Sequence, residues 1–117
     1  MANFLFVYRN GRDSFGTMSP DEMQQVLGKW SDWIGEGLRR GWMINPGDAL
    51  KTEGRVVNAR KVVSDGPFIE AKEVVGGFSI VDADTIDAAA ELAKGCPIFS
   101  RGGSVEVRPL QGFKHEK

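Results

Sequence analysis

Cysteine is nearly missing from this chain: Cys96 is the only one in 117 residues, so no internal disulfide can form and no zinc site can rest on cysteine pairs. A lone thiol suits a reducing compartment, and a cytoplasmic location is the expectation. Histidine is as scarce. His115 stands alone near the end of the sequence between Lys114 and Glu116, which leaves no His-rich metal spacing, so neither a metal nor a cofactor is expected. No charge of one sign prevails either. Fifteen Lys and Arg stand against 16 Asp and Glu, a formal net charge of -1, which argues against nucleic acid or an anionic membrane as the partner. Long apolar runs are absent: residues 4–8 are too few for a signal peptide's hydrophobic core, and nothing approaches the length of a membrane span. The 15 glycines form no phosphate-binding loop, and no serine sits in a nucleophile elbow. Function has to come from a local site.

What is present suits one compact domain. A hydrophobic fraction of 41% over this length supports a single core across residues 1–110, with 111–117 as a polar tail. Residues 4–8 alternate Phe4, Phe6 and Tyr8 with Leu5 and Val7, a strand with two apolar faces. After a glycine-containing polar stretch, Ser19-Pro20-Asp21-Glu22 is a strong helix start, with Ser19 as cap, Pro20 in the first turn and Glu22 closing a capping box. Met23, Val26, Leu27, Trp30, Ile34 and Leu38 follow at helical spacing, which predicts a helix over 20–40 ended by Gly41. Gly28, Gly35 and Gly37 inside it point to close packing of helix on sheet, or to room for a ligand beside Trp33.

Residues 42–48, with Asn45-Pro46-Gly47, read as a turn of the chain. A short strand over 49–52 and a longer one over 56–63 then make a candidate hairpin about Glu53-Gly54. Residues 76–82 are another strand, its Gly76-Gly77 pair marking a bend or a close backbone approach. Asp84 can cap a second helix that Gly95 and Pro97 terminate, 98–103 is a loop, and 104–109 is a last strand with Val105 and Val107 inward. With the short hairpin member set aside, the order is the βαββαβ of an α+β, ferredoxin-like fold with both helices on one sheet face. The other face is then bare, and a homodimer through it is the expected assembly.

Glu106 and Arg108 share the strand face opposite the two valines. If the valines meet the helices, both charges lie on the bare face and must pair with each other, with Arg9 or Arg60, or with a ligand. The functional reading makes Lys72 and Arg108 a positive receptor for an acidic small molecule, with Arg9 and Trp33 as further binding groups and Glu106 or Asp65 as proton acceptor. The structural reading keeps Asp65 as the residue that hydrogen-bonds the Asp65-Gly66-Pro67 turn, and Glu70 with Lys72 as a surface ion pair. Trp30 fits the helical core stripe, and Cys96, at the carboxyl end of the second helix just before Pro97, is not placed to be a nucleophile.

The strings Asp65-Gly66-Pro67-Phe68, Glu70-Ala71-Lys72-Glu73, Gly76-Gly77-Phe78 and Val105-Glu106-Val107-Arg108-Pro109, in this order, resemble the YCII-related family in its DGPF-containing branch. The resemblance implies a dimeric α+β barrel, two ferredoxin-like subunits packed sheet to sheet around a cleft. It also brings the His and Asp dyad that some members use in lyase-like or dehalogenating acid-base chemistry. Here the chain departs from the pattern, since its one histidine lies in the tail. Acid-base work would fall to the carboxylates of Asp65 and Glu106; the alternative is a binding or regulatory module without catalysis, its charges structural.

Overall fold

A computed structural model describes residues 2–9, 18–51, 53–66 and 75–112. Lys72 and His115 lie outside the described residues, as do the Pro67-Phe68 and Glu70-Ala71-Lys72-Glu73 parts of the family strings. The described chain is a mixed α+β structure. Its elements run β1 (Ala2–Arg9), α1 (Pro20–Arg40), β2 (Met43–Ala49), β3 (Arg55–Val57), β4 (Val63–Asp65), β5 (Val75–Ala83), α2 (Ile86–Ala93), a 3-10 turn over Pro97–Arg101 and β6 (Ser104–Pro109). Four strands form one sheet in the order β2-β5-β1-β6, antiparallel at every pair. β3 and β4 make a separate two-stranded hairpin.

Local chemistry sets α1 where the sequence predicts it. The Ser19 hydroxyl accepts from the Glu22 amide at 3.1 Å while the Glu22 carboxylate accepts from the Ser19 amide at 3.3 Å, a complete capping box. Gly41, at φ +86, ends the helix in the left-handed conformation and donates its N–H to the Leu38 carbonyl. α2 starts one residue later than expected, because Thr85 rather than Asp84 is the cap: its hydroxyl accepts from the Ala88 amide at 3.0 Å.

Two strand expectations fail for identifiable reasons. Asn45-Pro46-Gly47 does not turn the chain back; it bulges an edge strand. The Asn45 side chain accepts from the Gly47 amide at 2.8 Å, and the register of β2 against β5 slips on either side of Asn45, which an edge strand with a proline tolerates. Residues 56–63 are not one strand. Asn58 accepts from the Arg60 and Val62 amides through its side chain, and Lys61 takes φ 66, so the segment folds on itself as the turn of the β3–β4 hairpin.

The sheet's two faces differ as its alternation requires. Phe4, Phe6 and Tyr8 point to the helices and form the core with Met43, Val81, Ala89, Ala93, Cys96 and Ile98, against which Trp30, Trp33, Val105 and Val107 pack. On the opposite face Leu5 and Val7 stand beside Ile80 and Phe78 by register, half-buried and outside that core.

Only one of the three helix glycines matches the close-packing expectation. A Cβ at Gly37 would meet Met43 and Trp42 at 2.9 Å, whereas one at Gly28 or Gly35 meets nothing within 4 Å. Gly28→Ala and Gly35→Ala are therefore expected to raise stability by up to about 1 kcal/mol each through helix propensity, and Gly37→Ala to lower it. Urea midpoints decide it. A loss at Gly28 or Gly35 would mean that those positions are covered in the assembled protein.

Candidate functional site

β1 and β6 bring three of the expected site residues together. Arg9 ends β1, and the register places Val7 opposite Glu106 and Leu5 opposite Arg108, so the three charged side chains share the face away from the helices. The Arg9 guanidinium donates to Glu106 Oε1, Nε at 3.1 Å and Nη2 at 2.9 Å. Arg108 Nη1 donates to Oε2 of the same carboxylate at 3.2 Å. The hydrogen bond from Arg9, followed by that from Arg108, holds the Glu106 carboxyl below the usual carboxylate range. Glu106 is thus an anion at neutral pH with no proton to give and little basicity. Among the described residues, Glu106 receives both guanidiniums, one on each carboxylate oxygen.

The remaining expected residues lie elsewhere. Asp65 closes β4 with its side chain 94 % exposed, at 3.5 Å from Arg55 across the hairpin. Trp33 is on the helix side of the sheet, stacked on Phe6 with ring centroids 6.3 Å apart. The sheet itself separates it from Arg9, Glu106 and Arg108. Trp33 instead floors an open cleft of about 510 Å³, with Lys29, Asp32 and Glu36 of α1 on one wall and Cys96 and Ser100 on the other. Glu36 is already engaged by Arg39 and by Arg40. Cys96 has no nucleophilic character there, because burial pushes its thiol up to about 12.

A buried polar chain was not anticipated from the sequence. Tyr8 Oη donates to Ser79 Oγ at 2.8 Å, and Ser79 Oγ donates to the Pro46 carbonyl at 2.7 Å. Ser79 is fully buried, and burial holds the Tyr8 phenol well above its ordinary range, so both stay neutral and the chain is structural. Its sequence signal was a serine in phase with Val81 on the inner face of β5. Among the described residues no group of His, Cys, Asp and Glu is arranged to hold a metal, and no helix is long and apolar enough to cross a membrane.

Comparison with known proteins settles the family. The YCII-related domain matches residues 41–114, more than half of the chain. The chain belongs to the YCII-related domain family. The matched region holds β2 to β6, and with them Glu106 and Arg108; Arg9 and Trp33 precede it. A protein of Rhizobium meliloti (strain 1021) described as uncharacterised is 41% identical over 54 residues, 45% of this chain and 44% of that protein. The match thus spans less than half of that relative's length. This YCII-related chain consequently takes its chemistry from its own geometry rather than from a relative's activity.

Proposed function

We propose that this YCII-related protein binds a small acidic molecule on the bare face of its sheet, between the Arg9 and Arg108 guanidiniums, inside a homodimer of ferredoxin-like subunits. The observation that carries the reading is the Arg9–Glu106–Arg108 cluster. A single carboxylate cannot satisfy two forked guanidiniums, so donors remain on the Arg108 side for a ligand carboxylate, and Glu106 fixes the angle at which they are presented. The ferredoxin-like assignment is supported by the β2-β5-β1-β6 order with both helices on the Phe6 side. Pairing through the other face is supported by the half-buried Leu5, Val7, Phe78 and Ile80 on it. The Asp65-Gly66-Pro67-Phe68 string supports the DGPF-containing branch.

Binding without catalysis is the form this reading takes. General acid-base work near neutral pH asks for a carboxyl raised toward 7, and the arginines move Glu106 the other way. Asp65 is nearly fully exposed on the β3–β4 hairpin, paired with Arg55 rather than with the Glu106 cluster.

Calorimetric titration with a panel of mono- and dicarboxylic acids tests the proposal. At least one acid is expected to bind the wild type, and Arg108→Gln to weaken it by about tenfold or more, the loss of one charge-assisted contact. Arg9→Gln together with Arg108→Gln should abolish it. Retention of wild-type affinity in the double variant, or no binding by any acid, would overturn the reading.

A further inference from the structure

The sequence leaves room for a ligand beside Trp33, and in the folded chain that room comes from Gly95 after α2 rather than from the helix glycines. Lys29, Asp32, Trp33 and Glu36 fall at helical spacing on one flank of α1, and they face Gly95, Cys96, Pro97 and Ser100 across the cleft of about 510 Å³. That volume lies within the range of small-molecule sites, about 300–1,000 Å³. The Trp33 ring is surrounded by Phe6, Tyr8, Trp30 and Trp42, and its pyrrole edge meets the cleft beside Gly95, where a Cβ would stand 3.0 Å from Nε1 and 3.3 Å from Cδ1. With no side chain at position 95 the edge stays uncovered, and among the described residues its N–H has no acceptor.

The charges on the rim of this cleft are unmatched within the subunit. Twice in the helices an acid three residues ahead of a base closes into an ion pair, Glu36 with Arg39 and Glu91 with Lys94. Lys29 and Asp32 have the same spacing in the reverse order, base first, which a helix favours less, and among the described residues neither forms an ion pair. Glu36 is engaged by Arg39 and Arg40, so the charges left to the cleft are one cation and one anion, with Cβ atoms about 5–6 Å apart. On the facing wall the Ser100 hydroxyl donates to the Pro97 carbonyl at 2.8 Å and keeps its lone pairs as acceptors. A ligand carboxylate thus finds donors in Lys29 and the Trp33 N–H, and a ligand ammonium finds acceptors in Asp32 and Ser100. A ligand of one charge sets that charge beside a rim group of its own sign; a zwitterion satisfies both.

We propose that this cleft is a second binding site, on the helix side of the sheet, for a small zwitterion of the free amino-acid class, its carboxylate taken by Lys29 and the Trp33 indole N–H and its ammonium by Asp32. The site is independent of the acid site on the bare face. Titration of the isotope-labelled full chain with glycine, leucine, phenylalanine and proline, followed at the Trp33 indole N–H resonance, is the test. At least one amino acid is expected to shift that resonance saturably. Its N-acetyl and amide derivatives, which carry one charge each, should bind about threefold or more weakly, the loss of one exposed ion pair. Asp32→Asn should bring the amino acid down to the affinity of its N-acetyl derivative, and Lys29→Gln to that of its amide; both side chains are exposed, so neither change disturbs the core. No saturable shift with any of the four, or wild-type affinity in the Lys29→Gln, Asp32→Asn double variant, overturns the proposal. So does binding lost in Arg9→Gln with Arg108→Gln, which would put the ligand on the bare face. Amino-acid binding that the arginine pair leaves intact, with carboxylic-acid binding lost, establishes two separate sites.

Discussion

Phe6→Ala is expected to lower the unfolding free energy by about 3–5 kcal/mol, the range for truncating a fully buried aromatic residue. Phe6 is 0 % exposed, lies between Ser79 and Val107 in the register of its neighbouring strands, and stacks on Trp33 at an interplanar angle of 12°. Trp33 in turn meets Tyr8, Trp30 and Trp42 edge-on or tilted, with centroids 5.5 to 6.3 Å apart. Removing one ring therefore opens a cavity under α1 that several rings border, and helix and strands can close on it only by moving the whole aromatic cluster. Against a total stability of about 5–15 kcal/mol for a domain, this loss is large, a fall in Tm of more than about 10 °C. Leu5→Ala, one residue away on the other face, is the control. It should cost less, because Leu5 is half-buried outside the core, and under the homodimer proposed above its main effect would fall on association. A Phe6→Ala loss below about 1 kcal/mol would place the core on the wrong face of β1.

The residues that misled the sequence reading did so for physical reasons. α1 was legible to the residue because capping is local: Ser19, Pro20, Glu22 and Gly41 act within one turn of the helix ends. β2 was not, because Asn45-Pro46-Gly47 has the same composition whether it reverses a chain or bulges an edge strand, and only the presence of β5 beside it decides. The hairpin was misplaced because Val62 and Val63 continue an apolar pattern that the Asn58 side chain interrupts through hydrogen bonds. For the site, strand alternation alone put Glu106 and Arg108 opposite Val105 and Val107, and put Arg9 in phase with Leu5 and Val7. Trp33 was grouped with them from the sequence, but helical spacing decides otherwise: three residues from Trp30 and next to Ile34, it meets the inner face, against Phe6. Asp65 stood out in the sequence for its turn motif, but it ends β4 at the open end of the hairpin, opposite Arg55, with its carboxylate exposed.

Gly47→Ala is expected to destabilise the protein by about 3–5 kcal/mol, as much as emptying the core, although it adds a single methyl to an edge strand. Gly47 holds φ +67, where any L-residue is strained by about 1–2 kcal/mol. Its Cβ would fall 1.9 Å from the Phe78 carbonyl oxygen and 2.7 Å from the carbon. That obstacle is backbone, so β2 has to move away from β5. The movement takes Pro46 with it, and the Pro46 carbonyl is the acceptor for Ser79 Oγ at 2.7 Å. Ser79 then loses its acceptor in a site without water contact, and the Tyr8 hydroxyl bonded to it loses its fixed position; a buried hydroxyl left unpaired costs about 1–3 kcal/mol more. Two readouts separate these contributions. The denaturation midpoint gives the total, and Ser79→Ala, which removes the chain without moving β2, gives the hydrogen-bond share. Phe78 and Asp48, register partners across the displaced strands, belong to the bare-face side of the sheet, so under the proposed homodimer Gly47→Ala should also weaken association while Ser79→Ala should not. A Gly47→Ala protein within about 1 kcal/mol of wild type would show that the bulge relaxes freely and that β2 does not anchor the sheet's edge.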